Sequence, residues 1–547
     1  MEHKTLVTLR KKPFEFAINC SDILTNKDKY YLLNRSDQMY IQFMEKRLTK
    51  NSDEISQPQQ VTIHHIANEN NIERKIQLFV NFFTINDICS LYESQQNFIN
   101  LSISETFIST LLDEANQFSL ETKSNILNIF ILLLPSNSIF LNSFLDCEFL
   151  FQFNQCLLKY INNFELLDSF FKCLINLLNN DTITTKVISN QLNLESYFEK
   201  VIMKLLDEQM IIQNKSKLIH QLLNVFPVLF YYLEENEYYK YYNIIRKVIE
   251  LVIISFQNKN YKLLYHGIEV ISFMPPTEYL LNSKLFQTLS FCIQRESTTH
   301  FELSNIFRIC SFIIQFLNEN KNIDINVSDN DLAILINYKT LDIVLNVIKL
   351  LDIEQNNNFY DDFIRDETEL FIYAIRFFSD LFLIEREQLE PLLQLYFLQE
   401  NGNYNDILLN FLKFSLDKDC FNLSIEIIHF YLKILESFYN NIKNVLLFTY
   451  KLHLHISKMF DINLRDKITI KILSLMDSIL HFIDTNNGQY KYIKEDIIQT
   501  EFVEIIEYSQ VNCRNEEIRT ACEELFQKYF DKSEVDHNDC CNIQITI

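Results

Sequence analysis

Residues 125–130 read NILNIF, 173–178 read CLINLL and 221–226 read QLLNVF, and each sets an amide inside an apolar run. The amides are Asn128, Asn176 and Asn224, 48 residues apart at each step. A fixed interval of that length means that one supersecondary unit recurs, each copy burying its apolar face on the next. The runs have helical spacing. LDSFFKCLINLL, IIRKVIELVIISF and IEIIHFYLKILESF repeat apolar residues at i, i+3, i+4 and i+7, and several are apolar on more than one side. A helix that is apolar all round must be sandwiched between neighbours. Short helices with a long period predict an all-α fold, a right-handed helical solenoid.

Glycine usage points the same way. The 547-residue chain has only Gly267, Gly402 and Gly488, no two of them close together, so it cannot build a phosphate-cradling glycine loop. Asn, which tolerates the left-handed region, is expected at turns and helix ends instead. The hydrophobic fraction of 48% is enough to fold, but the length exceeds one compact core. The net charge of −23 argues against nucleic acid or an anionic membrane as a partner. The twelve Cys include no CxxC pair and sit in apolar helices, which reads as reduced, buried thiols in a cytosolic or nuclear protein. There is no basic-then-apolar leader and no apolar run of about 18 residues, so neither secretion nor membrane spanning is expected.

The chain divides by composition. Residues 1–60 form a mildly basic arm and linker, with ten Lys/Arg against six Asp/Glu in residues 1–50 and a polar break, LTKNSDEISQPQQ, at 48–60. Residues 61–500 carry the helical patterns, with breaks at 318–331 and 352–362. Residues 501–534 read as a capping repeat, and 535–547 as a polar, disordered tail. No motif for catalysis occurs: no GxSxG, HExxH or P-loop. His453 and His455 are two apart and fall on different helix faces, which is wrong for a metal pair. His64 and His65 read as surface residues, Asp361 and Asp362 as a solvated loop end, and no cofactor or metal is expected. The amide column stays open between two readings. A row of amides can pair with the backbone of an extended peptide, or each Asn can face solvent or bond a loop.

The segment EFVEIIEYSQVNCRNEEIRTACEELFQKYFDKSE (501–534) resembles the last repeat of the importin-alpha family through Ile506, Glu507, Gln510, Asn515, Glu517, Ile518, Ala521, Tyr529 and Phe530. RKIQLFVNFF (74–83), FRICSFI (307–313) and LKILESF (432–438) are similar to other helices of that family, with Arg308 and Glu436 at its Arg and acid positions. The resemblance implies armadillo (ARM/HEAT-like) repeats, whose usual length is about 40–47 residues. It also implies an adaptor that binds cargo import signals in a concave groove and works in cytoplasm and nucleus. Asn128, Asn176 and Asn224 would hold the signal backbone. Ser124, Lys172, His220 and Arg308 stand at the family's Trp-type positions, as do His266 and Arg376. Arg10, Lys11 and Lys12 would meet an importin-beta-like carrier, and Glu517 and Phe530 an export receptor. This chain has no Trp at all, so the cation–π pockets for a lysine-rich signal are missing. The alternative is an armadillo-repeat scaffold for protein–protein interaction that has lost import-signal recognition.

Overall fold

The structure is a computed structural model that describes residues 63–85, 106–112, 117–133, 147–179, 182–206, 215–233, 235–274, 276–320, 329–355, 360–384, 391, 404–417, 421–437, 440–449, 451–460, 465–486 and 491–530. The expected basic arm, with Arg10, Lys11 and Lys12, and the expected tail lie outside the described residues. The described residues are helices and their connections, with no strand among them. None of these helices is long and apolar enough to cross a membrane. Two compact units divide the chain, Met1–Tyr279 and Leu280–Ile547.

In the first unit a ladder of helices stacks in chain order: α1 (Ile72–Ile85), α2 (Leu120–Leu133), α3 (Phe164–Leu178) and α4 (Lys215–Tyr232). A flanking helix, α5 (Tyr242–Gln257), then leads into the next rung, α6 (Tyr261–Phe273). The long sequence interval reappears as hydrogen bonds between rungs. Asn125 Nδ2 donates to Gln77 Oε1 across 48 residues, and Thr122 Oγ1 donates to Glu73 Oε1 across 49. Cys173 Sγ donates to the Leu127 carbonyl across 46. Phenylalanine fills the space between rungs. Phe79, Phe107, Phe130, Phe153 and Phe170 form a continuous string with centroids 5.2, 6.2, 6.5 and 5.5 Å apart, each ring fully buried. Each Phe buries a large apolar area, which is how short helices with little core of their own are held.

The second unit repeats the device: α7 (His300–Glu319), α8 (Tyr360–Leu381), α9 (Phe421–Glu436), α10 (Asp466–Thr485) and α11 (Glu516–Tyr529) stack in order. Phe307 stacks on Phe377 at 5.9 Å and Phe378 on Phe430 at 5.9 Å. The breaks expected at 318–331 and 352–362 are shorter than the composition suggested. α7 runs to Glu319, a helix resumes at Asp329, another ends at Gln355, and α8 begins at Tyr360. Polar residues at helix ends satisfy backbone groups there, so polarity alone overstates loop length.

Asn does serve at helix ends, as a C-cap at Asn258, Asn320 and Asn486 and as an N-cap at other positions. Asn260, Asn282 and Asn515 each accept a backbone N–H from the first turn that follows. Of the left-handed residues that are not glycine among those described, Asn193 is an Asn, while the others are Lys259 and Lys451. Gly267 has a packing reason instead. A Cβ there would meet Val252 Cγ2 at 2.5 Å, so α5 and α6 approach closely only because the position is bare.

Candidate functional site

The amide column lies on consecutive rungs of the first unit: Asn128 on α2, Asn176 on α3 and Asn224 on α4, all half-buried. Their amides do different work. Asn176 Nδ2 donates to the Ile131 carbonyl at 2.9 Å, across 45 residues. Ile131 sits in the last turn of α2, where carbonyls lose their intrahelical partners, so Asn176 closes a helix end from the next rung. That is a packing reason for an amide in an apolar helix. Asn224 Nδ2 reaches Gln221 Oε1 in its own helix at 3.5 Å. Asn128 has no side-chain hydrogen bond among the described residues.

The neighbouring positions four residues earlier are occupied as follows. Ser124 is half-buried on α2. Lys172 pairs with Asp168 at 2.7 Å, the cation 33% exposed and the acid 13%. His220 packs edge-on against His266 of α6, with centroids 4.6 Å apart. His266 Nδ1 in turn lies 3.3 Å from Glu269 Oε2. Four residues apart on a helix is one turn, so each such residue shares a face with its Asn.

In the second unit the same positions build a polar seam that only partly showed in the sequence. Arg308 on α7 is buried, and its guanidinium lies 5.6 Å over the Phe312 ring and 5.2 Å over the Tyr373 ring. Arg376 on α8 covers Tyr373 as well, at 5.3 Å, and makes a two-pronged pair with Glu426 on α9. Its Nε donates to Oε2 at 3.1 Å and its Nη2 to Oε1. Burial works against the Arg376 charge, and Glu426 more than restores it, so its pKa rises. Asp380, fully buried one turn after Arg376, accepts from Ser311 Oγ, from Gln315 Nε2 at 3.1 Å and from Lys433 Nζ on α9. Burial raises the Asp380 pKa, and Lys433 and Ser311 oppose the rise. Half-buried His429 has its pKa lowered, first by burial, then by Lys471, Lys433 and Arg376 against the pull of Glu426. Arg308, Arg376 and Asp380 were visible as charges inside apolar runs. Ser311, Gln315, Glu426 and Lys433 were not singled out, because their partners stand 50 or more residues away.

At the C-terminal repeat, Asn515 caps α11 and donates to Asp466 Oδ2 of α10 at 2.8 Å across 49 residues. Glu517 is exposed in the first turn, where an acid favours the helix dipole. Phe530 is half-buried, 6.4 Å from Phe526. Lys528 Nζ bonds Asp477 at 2.9 Å and the Tyr529 hydroxyl donates to the Asp477 carbonyl at 3.3 Å. Cys156, Cys173, Cys292, Cys310 and Cys522 are buried thiols, and burial pushes Cys156 and Cys522 up to about 12. His453 is buried beside Asp496, and no cluster of three metal-binding side chains occurs among the described residues.

No family profile matches the chain, and no curated protein sequence does. Solved structures do. An engineered protein superposes with a TM-score of 0.53 at 10% identity, over 85% of this chain and 97% of its own. A chain of the Kap95p–RanGDP complex gives 0.49 at 11% identity, over 85% of this chain and 56% of that one. A chain of the SYS-1/POP-1 complex gives 0.45 at 13%, over 92% and 98%. At such identities the likeness is one of fold. The chain is an all-α helical-repeat solenoid of the armadillo/HEAT kind.

Proposed function

We propose that the chain is a protein-interaction scaffold whose ladder helices receive an extended segment of a partner. The observation that carries this is the register of polar side chains. Asn128, Asn176 and Asn224, and in the other unit Arg308, Arg376 and Glu426, stand on successive rungs in helices otherwise buried by apolar packing. A row of polar groups at one rung spacing suits a peptide that cannot make its own sheet or helix bonds and needs partners for its backbone. The reading involves no catalytic step. The test is to pan a displayed peptide library on the full chain and then on Asn128→Ala. Enriched peptides that lose affinity in the variant support it, while a failure to enrich any binder sinks it. Asn128 is the right probe because removing Asn176 also opens the end of α2.

The import-adaptor reading is the finer version. Its support is the amide column at one rung spacing and the resemblance of residues 501–534. It adds cargo import signals on Asn128, Asn176 and Asn224, an importin-beta-like carrier on residues 1–60 through Arg10, Lys11 and Lys12, and an export receptor around Glu517 and Phe530. It also places the protein in both cytoplasm and nucleus. Binding to immobilised importin-beta, lost when residues 1–60 are removed, is the expected result. Equal retention without the arm would reject it.

A further inference from the structure

The second unit shows which charge a partner should bring. Around half-buried His429 on α9, three rungs contribute cations: Arg376 from α8, Lys433 from α9 and Lys471 from α10. The carboxylates that balance them face inward. The Asp380 side chain has no exposed surface and that of Glu426 only 9%, whereas Lys433 keeps 19% and Arg376 16%. Lys471 is half-buried. The positive members of these pairs thus keep more exposure than the acids they bond, on a chain whose net charge is −23. Among the described residues the cations also keep further donors. An ammonium has three N–H groups and Lys433 gives one to Asp380, while a guanidinium has five and Arg376 gives two to Glu426. The rings beside these cations already have cations over them. Phe312 is covered by Arg308, and Tyr373 by Arg308 and Arg376.

We propose that the face formed by α8, α9 and α10 docks an acidic segment of a partner protein, its Asp and Glu carboxylates bonding Arg376, Lys433 and Lys471 as its backbone passes His429. This rests on the scaffold reading and adds the partner's charge. Charge-assisted bonds to carboxylate are the strong kind, and a forked guanidinium selects planar acids. A polyanion of nucleic acid fits less well. Its closely spaced phosphates would face the acidic remainder of the chain, whereas a short acidic peptide needs only this patch.

The experiment titrates three labelled probes against the full chain at low and physiological salt: a Glu/Asp-rich peptide, a Lys-rich peptide of equal length and a single-stranded oligonucleotide. The acidic peptide should bind best, and more weakly as salt rises. Lys471→Glu should weaken it by about tenfold or more, since an attraction becomes a repulsion. Lys471→Arg should leave it unchanged. Among the described residues Lys471 makes no ion pair with a buried acid, so both variants should keep wild-type helicity by circular dichroism. No binding of the acidic peptide, equal binding by Lys471→Glu, or a preference for the Lys-rich peptide or the oligonucleotide would each overturn the assignment. If library panning still yields binders dependent on Asn128, the charge assignment alone has failed. If panning yields none, the scaffold reading falls with it.

Discussion

At the scale of residues, the buried charges of the second unit are the most consequential feature. A buried ion pair adds little over a good apolar fit, but breaking it is costly because one charge is left behind. Glu426→Gln strands the Arg376 guanidinium against Tyr373. It should therefore destabilise the fold by about 3–5 kcal/mol in urea titration, with most of that recovered when Arg376→Met is added. Protonation should matter too. His429, His453 and His455 all have pKa values lowered first by burial, opposed by Glu426, Asp496 and Asp406 respectively. An unfolded chain takes protons on these rings from about pH 6.5 downward, while the folded rings resist. The stability they contribute is thus complete above that pH and lost as pH falls toward the folded values. The thermal midpoint should drop between about pH 7.5 and 5.5, and His453→Gln should make the drop shallower. A midpoint flat over that range would contradict the burial of these rings.

At the scale of helices, α5 and α6 approach each other closely at Gly267. Val252 is β-branched and fully buried, so its methyl cannot step aside for a Cβ at position 267. Gly267→Ala should cost about 1–3 kcal/mol by overpacking. Val252→Ala in the same chain should return part of it, which a double-mutant cycle would detect as coupling. The type of each helix was legible because 3.6-residue periodicity and scarce glycine leave little else. The stacking of rungs was legible from the amide interval, since Asn125–Gln77 and Asn515–Asp466 fall on nearly the same spacing. The reason for the amides was not. Periodicity shows that Asn176 recurs, but only the Ile131 carbonyl shows what its Nδ2 does. The polar seam was hidden for the same reason: Lys433 could have paired with any acid on α8, and the fold selects Asp380. Lys172, which stands at a Trp-type position, is partly neutralised by Asp168 one turn before it, a pairing that i,i+4 spacing allows but does not dictate.

At the scale of the whole molecule, each unit is a succession of rungs that lean chiefly on their neighbours. Such arrays lose all-or-none behaviour, because one stretch can open while another holds. Urea unfolding followed by circular dichroism and by tyrosine fluorescence should give transitions that do not coincide, whereas a single superimposable transition would mean tighter coupling than the stacking implies. The bonds that join rungs, Thr122 to Glu73, Arg376 to Glu426 and Lys528 to Asp477, span 49, 50 and 51 residues. This spacing has a consequence for synthesis. A ribosome adds about 5–20 residues per second, so a new rung emerges roughly every 3–10 seconds, while a helix forms in about a microsecond. Each emerging helix finds its docking partner already made and waiting, and nothing it needs is still to be translated beyond the next rung. The chain can be assembled in the order in which it is read, with little apolar surface left bare for long at any moment on its way out of the exit tunnel.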